Sequence, residues 1–191
     1  MMAAEDSDET NDQSQLASVK PATKYLKLKE VNGDIFSAAP RSMLLHACNC
    51  KGSWGAGIAA AFRTRYPRAY ESYKSHCARN NPATLVGTAY LIAPVDDENF
   101  QHFIGCLFTS VGFGKSKDTP SQILLNTELA MKDMLKQRKT LEDNQILLGD
   151  IQMCRINSGY FKVPWRDTKT TLEAIEIDKD KNIEISVISK M

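Results

Sequence analysis

The residues with the most chemical potential lie in one stretch, His46-Ala47-Cys48-Asn49-Cys50-Lys51-Gly52-Ser53-Trp54-Gly55-Ala56-Gly57-Ile58, followed by Ala59. It joins the apolar run Met43 to Ala47 to an alanine-rich segment, so it reads as a loop between a buried strand and a helix. Gly52, Gly55 and Gly57 let the backbone approach a ligand closely and turn its N–H groups toward phosphate oxygens, the design of an anion cradle. A glycine-rich surface loop without a ligand fits the composition equally well. The stretch is not a P-loop, since no Gly-Lys-Ser/Thr follows, and it lacks the Gly-x-Gly-x-x-Gly of a dinucleotide site.

A second stretch, Ile156-Asn157-Ser158-Gly159-Tyr160-Phe161-Lys162-Val163-Pro164-Trp165, places strand, small polar residues, glycine and helix start in the same order. Its backbone and hydroxyl donors can close over the other side of a diphosphate. Tyr160, Phe161 and Trp165 also read as packing residues, and for Trp165 that reading is preferred. Taken alone, His46 on an apolar strand is a satisfied core residue, although its pKa range suits acid or base work near neutrality. No Cys-x5-Arg nucleophile site is present. His46, Cys48 and Cys50 alternate onto one strand face, but without a second ligand pair they do not make a common zinc site. The five cysteines, Cys48, Cys50, Cys77, Cys106 and Cys154, form an odd set without Cys-x-x-Cys spacing and are expected as buried thiols. No metal and no cofactor is expected.

These loops need a layered scaffold, and the pattern supplies one. Tyr25 to Val31 alternates as a strand and ends in the turn signal Asn32-Gly33-Asp34. Gly57 to Tyr66 is expected as a helix closed by Pro67, with another over Ala69 to Ala78. Strands are expected at Leu85 to Ile92 and His102 to Thr109, joined through Pro94 and Asp96-Asp97-Glu98. Ser121 is the expected N-cap of the longest helix, running to about Lys139. Then come a strand at Ile151 to Ile156, a helix from Pro164 through Ile175, and a final strand at Ile183 to Ile188. Strands interleaved with helices argue for an α/β domain with a mixed, largely parallel sheet. In such sheets ligands bind beyond the carboxyl ends of the strands, which are the loops at Gly33, Asn49 to Gly57 and Asn157 to Lys162.

The 191 residues, 42% hydrophobic and 25% charged, suffice for one domain and are too few for two of full size. Residues 1–22 hold Glu5, Asp6, Asp8, Glu9 and Asp12 against Lys20 and read as a disordered acidic tail, leaving a domain over 23–191. Set apart, the tail leaves 23 basic and 18 acidic residues, a mildly basic remainder suited to a phosphate-bearing small molecule. No apolar run reaches 18 residues and the first residues are acidic where a signal peptide is basic, so an intracellular protein without a membrane segment is expected. Nucleic-acid binding is disfavoured by the lack of a basic stripe or an RNA-binding aromatic motif.

From about Lys24 to Met191 these residues resemble the macrodomain family, the ADP-ribose-binding α/β module. The likeness rests on Gly33-Asp34-Ile35, on Asn49 with Gly55-Ala56-Gly57-Ile58, and on Ser158-Gly159-Tyr160-Phe161. Within the family, the spelling from His46 to Ile58, with Cys106-Leu107-Phe108-Thr109-Ser110 and Ile156-Asn157-Ser158-Gly159, resembles the fungal ADP-ribose 1''-phosphate phosphatase group. The resemblance implies a three-layer α/β/α fold with a sheet of about six strands. It implies that Asp34 accepts from the adenine amino group while Ile35 helps to read the ring, and that Asn49 holds hydroxyls of the distal ribose. It further implies that residues 55–58 and 158–161 wrap the phosphates with Ala59 beside them in the binding site, that Tyr160 or Phe161 packs on the distal ribose, and that His46 joins Asn49 in catalysis. Two departures stand out. Ala56 occupies a place where the family often has glycine, and Lys162 ends a loop that commonly ends in glycine.

What the resemblance implies in function is hydrolysis of the terminal phosphate of ADP-ribose 1''-phosphate, a tRNA-splicing by-product, by a monomeric intracellular enzyme, cytoplasmic or nuclear, acting on a small molecule. Two alternatives stay open at this stage: hydrolysis of ADP-ribosyl esters on modified proteins, and non-catalytic reading of ADP-ribose.

Overall fold

A computed structural model describes residues 23–96 and 101–189. The expected acidic tail over 1–22 lies outside the described residues.

Alternation breaks at Leu26, so the first expected strand divides. β1 (Lys24–Tyr25) is followed by β2 (Lys27–Asn32), and Leu26 between them is buried with its N–H on the Ile175 carbonyl at 2.9 Å. A 3-10 turn, Ile35–Ser37, leads to β3 (Met43–Asn49), whose apolar run is buried on both faces as a central parallel strand requires. Pro67 does not simply close α1 (Gly57–Arg65); it opens α2 (Pro67–Arg79), where its missing N–H costs nothing. The carboxylate of Asp96 caps α2 from a distant loop, accepting from the N–H groups of Arg68 and Ala69 at 2.7 Å each.

The strand expected from Leu85 is shorter. Pro82–Leu85 forms one helical turn, α3, capped by Asn81; Gly87 at φ +78° turns the chain, and β4 covers only Ala89–Ile92. β5 (Phe103–Ser110) lies between β3 and β4 and is buried throughout. In place of Ser121, Thr119 caps the long helix α4 (Pro120–Asp143), its Oγ1 accepting from the Gln122 N–H, because Pro120 takes the first helical position. β6 (Ile151–Cys154) precedes the second loop. Pro164 caps α5 (Trp165–Glu173) from just outside it, and β7 (Glu176–Ile177) and β8 (Glu184–Ser189) complete the described chain.

The main sheet has the order β2-β8-β6-β3-β5-β4, parallel except for β4, which runs antiparallel to β5. β1 pairs with β7 in a separate antiparallel ribbon. One face of the sheet packs on α1 and α2 through Leu44, Cys48, Ile104 and Phe108 against Phe62, Tyr66 and Tyr73. The other packs on α4 and α5 through Leu45, Leu107, Met153 and Val187 against Met131, Met134 and Leu172. The result is a three-layer α/β/α fold with a mixed, mostly parallel six-stranded sheet.

Candidate functional site

A cavity of about 670 Å³ opens above the carboxyl ends of β3, β6 and β8, where an α/β sheet of this kind offers its crevice. Its walls are the two glycine-bearing loops. Residues 55–59 come from the first, and residues 156–161 from the second, with Ala47 and Asn49 on the floor between them.

The first wall follows from how β3 ends. The β3–β5 register shifts between Cys48 and Asn49, so that Asn49 sits opposite Ser110. There Asn49 organises the loop that follows. Its Oδ1 accepts from the N–H groups of Lys51 at 2.9 Å and Ser53 at 3.3 Å, its Nδ2 donates to the Ser53 carbonyl at 2.6 Å, and Tyr73 donates its hydroxyl to the Asn49 carbonyl at 2.6 Å. One Nδ2 hydrogen remains for a ligand. Beyond this loop, Ala56 has φ −153° and ψ 162°, extended backbone that alanine adopts freely, so the departure from glycine carries no strain. Gly57 has φ +55°, and a Cβ there would stand 3.1 Å from the Tyr160 ring, so glycine is needed for both conformation and space. The first backbone bond of α1 is made by the Ala60 N–H to Ala56, which leaves those of Gly57, Ile58 and Ala59 without an intrahelical acceptor.

The second wall is built the same way. Within residues 157–163, Lys162 donates its N–H to the Gly159 carbonyl at 3.0 Å and Val163 donates to Asn157 at 3.0 Å. The N–H groups of residues 158–161 make no hydrogen bond among the described residues. Asn157 and Lys162 both adopt positive φ, +65° and +58°. Buried Asn157 is held by its Nδ2 donating to Thr127 Oγ1 at 2.8 Å, and Lys162 is exposed. Phe113 and Tyr160, both large and exposed, also line the cavity.

His46 requires a correction. Its side chain is fully buried on the α1–α2 side of the sheet, stacked on Phe62 at 4.3 Å and edge-on to Trp54 at 4.6 Å between ring centroids, and it does not line the cavity. Strand alternation is the reason: Ala47 and Asn49 reach the cavity, and their neighbours His46 and Cys48 turn into the core. Cys48, expected to touch ligand, is a core residue for the same reason, and Trp54, also expected there, is a core residue because the loop after β3 folds its ring onto Tyr73 at 5.0 Å. Gly33, Asp34, Ile35 and Lys162 also lie outside the cavity lining. Gly33 stays one hydrogen bond away, donating to the carbonyl of the cavity residue Ser189 at 2.9 Å. Asp34 is exposed and caps the 3-10 turn by accepting from the Phe36 N–H at 3.1 Å, while Ile35 is buried.

The thiols do no chemistry at the cavity. Burial pushes Cys154, which lines it, up to about 12, so it is a neutral thiol near neutrality. The donor atoms of His46, Cys48 and Cys106 lie within 4.8 Å of one another, because Cys106 pairs with His46 across β3 and β5, whereas the Cys50 thiol turns to the Ser110 carbonyl. Burial, reinforced by Cys106, holds the Cys48 thiol well above its ordinary range, which opposes the thiolate a metal would need. The triad is part of the aromatic core.

Residues that the pattern alone did not single out also line the cavity: Cys154, Arg155, Ile188 and Ser189. Sequence periodicity carries no signal for them. They enter because the strand order places the ends of β6 and β8 beside β3.

The three-layer arrangement, with two loops of unbonded backbone N–H groups among the described residues above the ends of a mostly parallel sheet, defines an α/β domain with a crevice at its carboxyl edge. The chain belongs to the Macro domain family, whose model matches residues 45–172. It is 45% identical over 158 residues to an ADP-ribose 1''-phosphate phosphatase of Chaetomium globosum, covering 80% of this chain and 85% of the relative. It is 39% identical over 181 residues to the protein of the same description in Aspergillus oryzae, covering 79% and 90%. Among solved structures, the macrodomain of Thermus aquaticus DarG superposes with a TM-score of 0.63 over 86% of this chain and 99% of that one, at 20% identity.

Proposed function

We propose that this protein is an ADP-ribose 1''-phosphate phosphatase, a phosphoric monoester hydrolase releasing ADP-ribose and phosphate. The observation that carries this reading is the pair of backbone loops, residues 57–59 and 158–161, whose N–H groups have no acceptor among the described residues and which line one cavity. The fungal relatives described as this phosphatase support the choice of substrate.

The cradle suits a molecule with several phosphates. The N-terminus of α1 carries the positive end of the helix dipole, so anionic oxygens are favoured beside Ile58 and Ala59. Donors fixed before the substrate arrives stabilise charge on the phosphoryl oxygens without reorganising during the reaction. Asn49 fixes the first loop and offers its spare N–H to the distal sugar. Among the described lining residues there is no carboxylate and no imidazole. Acid–base work therefore falls to water and to the substrate's own phosphate oxygens, and the protein contributes placement and charge stabilisation. Asp34, exposed at the end of β2, keeps one carboxylate oxygen free to accept from an adenine amino group. The enzyme in this reading works as an intracellular monomer.

Phosphate release from ADP-ribose 1''-phosphate is the test. The wild-type protein is expected to turn over, and Asn49→Ala to lose about a hundredfold in kcat/KM because loop 50–54 loses its anchor. Binding of ADP-ribose by the wild type with no phosphate release would overturn the phosphatase reading and leave a reader of ADP-ribose.

A further inference from the structure

Arg155 is the only residue with a charged side chain among the described residues lining the cavity. It follows β6 directly, and its Nη2 donates to Glu30 Oε2 at 2.6 Å, while Lys169 of α5 holds Glu30 Oε1 at 2.9 Å. Since β8 lies between β2 and β6, this bridge spans the carboxyl end of β8, where Ile188 and Ser189 face the cavity. The end of β2 reaches the same rim, because Gly33, next to Asp34, donates its N–H to the Ser189 carbonyl at 2.9 Å. The residue is tied at its other end too, because Ser158 donates its hydroxyl to the Arg155 carbonyl at 2.6 Å.

Two properties decide what such an arginine does. Its charge already faces a carboxylate, which discounts it as a clamp for distant phosphates. Its guanidinium remains flat, restrained in direction and about half exposed, with a side-chain accessibility of 48%. A restrained planar guanidinium beside the cavity is suited to lie flat against an aromatic base, a stacking geometry that a lysine ammonium cannot reproduce.

Resting on the proposed function, we infer that Arg155 is a specificity-determining residue for the adenine half of the substrate, its guanidinium stacking on the purine, with Glu30 as the positioning residue that orients it. Discrimination for an aromatic base then comes from this side of the cavity, and the diphosphate and distal ribose are held by the backbone loops independently of Arg155.

Calorimetry with two probes tests this: ADP-ribose, and ribose 5-diphosphate, which keeps the distal ribose and both phosphates but lacks adenosine. Arg155→Lys and Arg155→Gln are each expected to weaken ADP-ribose binding about tenfold, since neither replacement keeps the flat guanidinium that covers the base. All three proteins should bind ribose 5-diphosphate alike, and the ADP-ribose loss should persist at raised ionic strength. Glu30→Gln should weaken ADP-ribose binding in the same sense by about threefold. Full affinity in Arg155→Lys with loss in Arg155→Gln would overturn the inference in favour of a phosphate contact. Equal loss for both probes, or no loss in either variant, would overturn it as well. Because these are binding measurements, absent turnover by the wild type would sink the phosphatase reading while the Arg155 result still stood or fell by itself.

Discussion

Lys162 shows how one residue can record a compromise between loop shape and composition. At φ +58° it holds a conformation that costs a side-chain-bearing residue about 1–2 kcal/mol, part of which glycine returns as extra freedom in the unfolded chain. Lys162→Gly is therefore expected to raise Tm by about 1–3 °C, measured by thermal unfolding. His46 illustrates the opposite case, a residue whose chemistry is set aside by its position. Sandwiched against Phe62 and Trp54, it is a packing group, and His46→Ala should destabilise the protein by about 2–4 kcal/mol, as other large-to-small core changes do. Denaturant unfolding measures that loss. Its phosphatase rate, measured well below the new Tm, should change far less than that of Asn49→Ala.

Elements were legible in the sequence wherever one period dominated. The alanine-rich α1, the long α4 and the alternating β8 stand where the pattern puts them, and so do both glycine-bearing loops. Misreadings fell at punctuation. Pro67, Pro120 and Pro164 each stand at a helix start, which moved two caps and joined α2 directly to α1. In the site, the two loops were readable because glycine and small polar residues advertise a backbone cradle, and Asn49 was marked by the resemblance to the macrodomain family. The direction in which His46 points was not, since it depends on where β3 begins to alternate between two buried faces. Arg155 and Ser189 were hidden because only the strand order brings them to the cavity. Asp96 was likewise out of reach: its role as the cap of α2 spans 28 residues of chain to Arg68. Removing it in Asp96→Ala should cost about 0.5–2 kcal/mol, with faster amide exchange confined at first to the opening turn of α2.

At the scale of the whole molecule, the Glu30 network joins the first sheet strand to the end of β6 and to α5. The hydrogen bond from Lys169, then that from Arg155, holds the Glu30 carboxyl down to about 2. A carboxylate whose folded pKa lies below its unfolded value stabilises the fold above the unfolded value, near 4.5, and loses that contribution as pH falls toward 2. Glu30→Gln should thus lower Tm slightly at pH 7, by about 1–3 °C given the exposure of the pair, and the gap to wild type should close as pH drops from about 5 toward 2. Parallel melts across that range measure it.

The pairing of β2 with β8 matches residues 27–32 with residues 184–189. On a ribosome, the strand that leads to Asp34 emerges early yet has no neighbour in the main sheet until some 150 residues more have been made. The two phosphate loops also belong to opposite halves of the chain. During synthesis one half of the cradle and β2 are therefore made well before the second loop and β8, and the crevice is complete only once β8 has taken its place between β2 and β6.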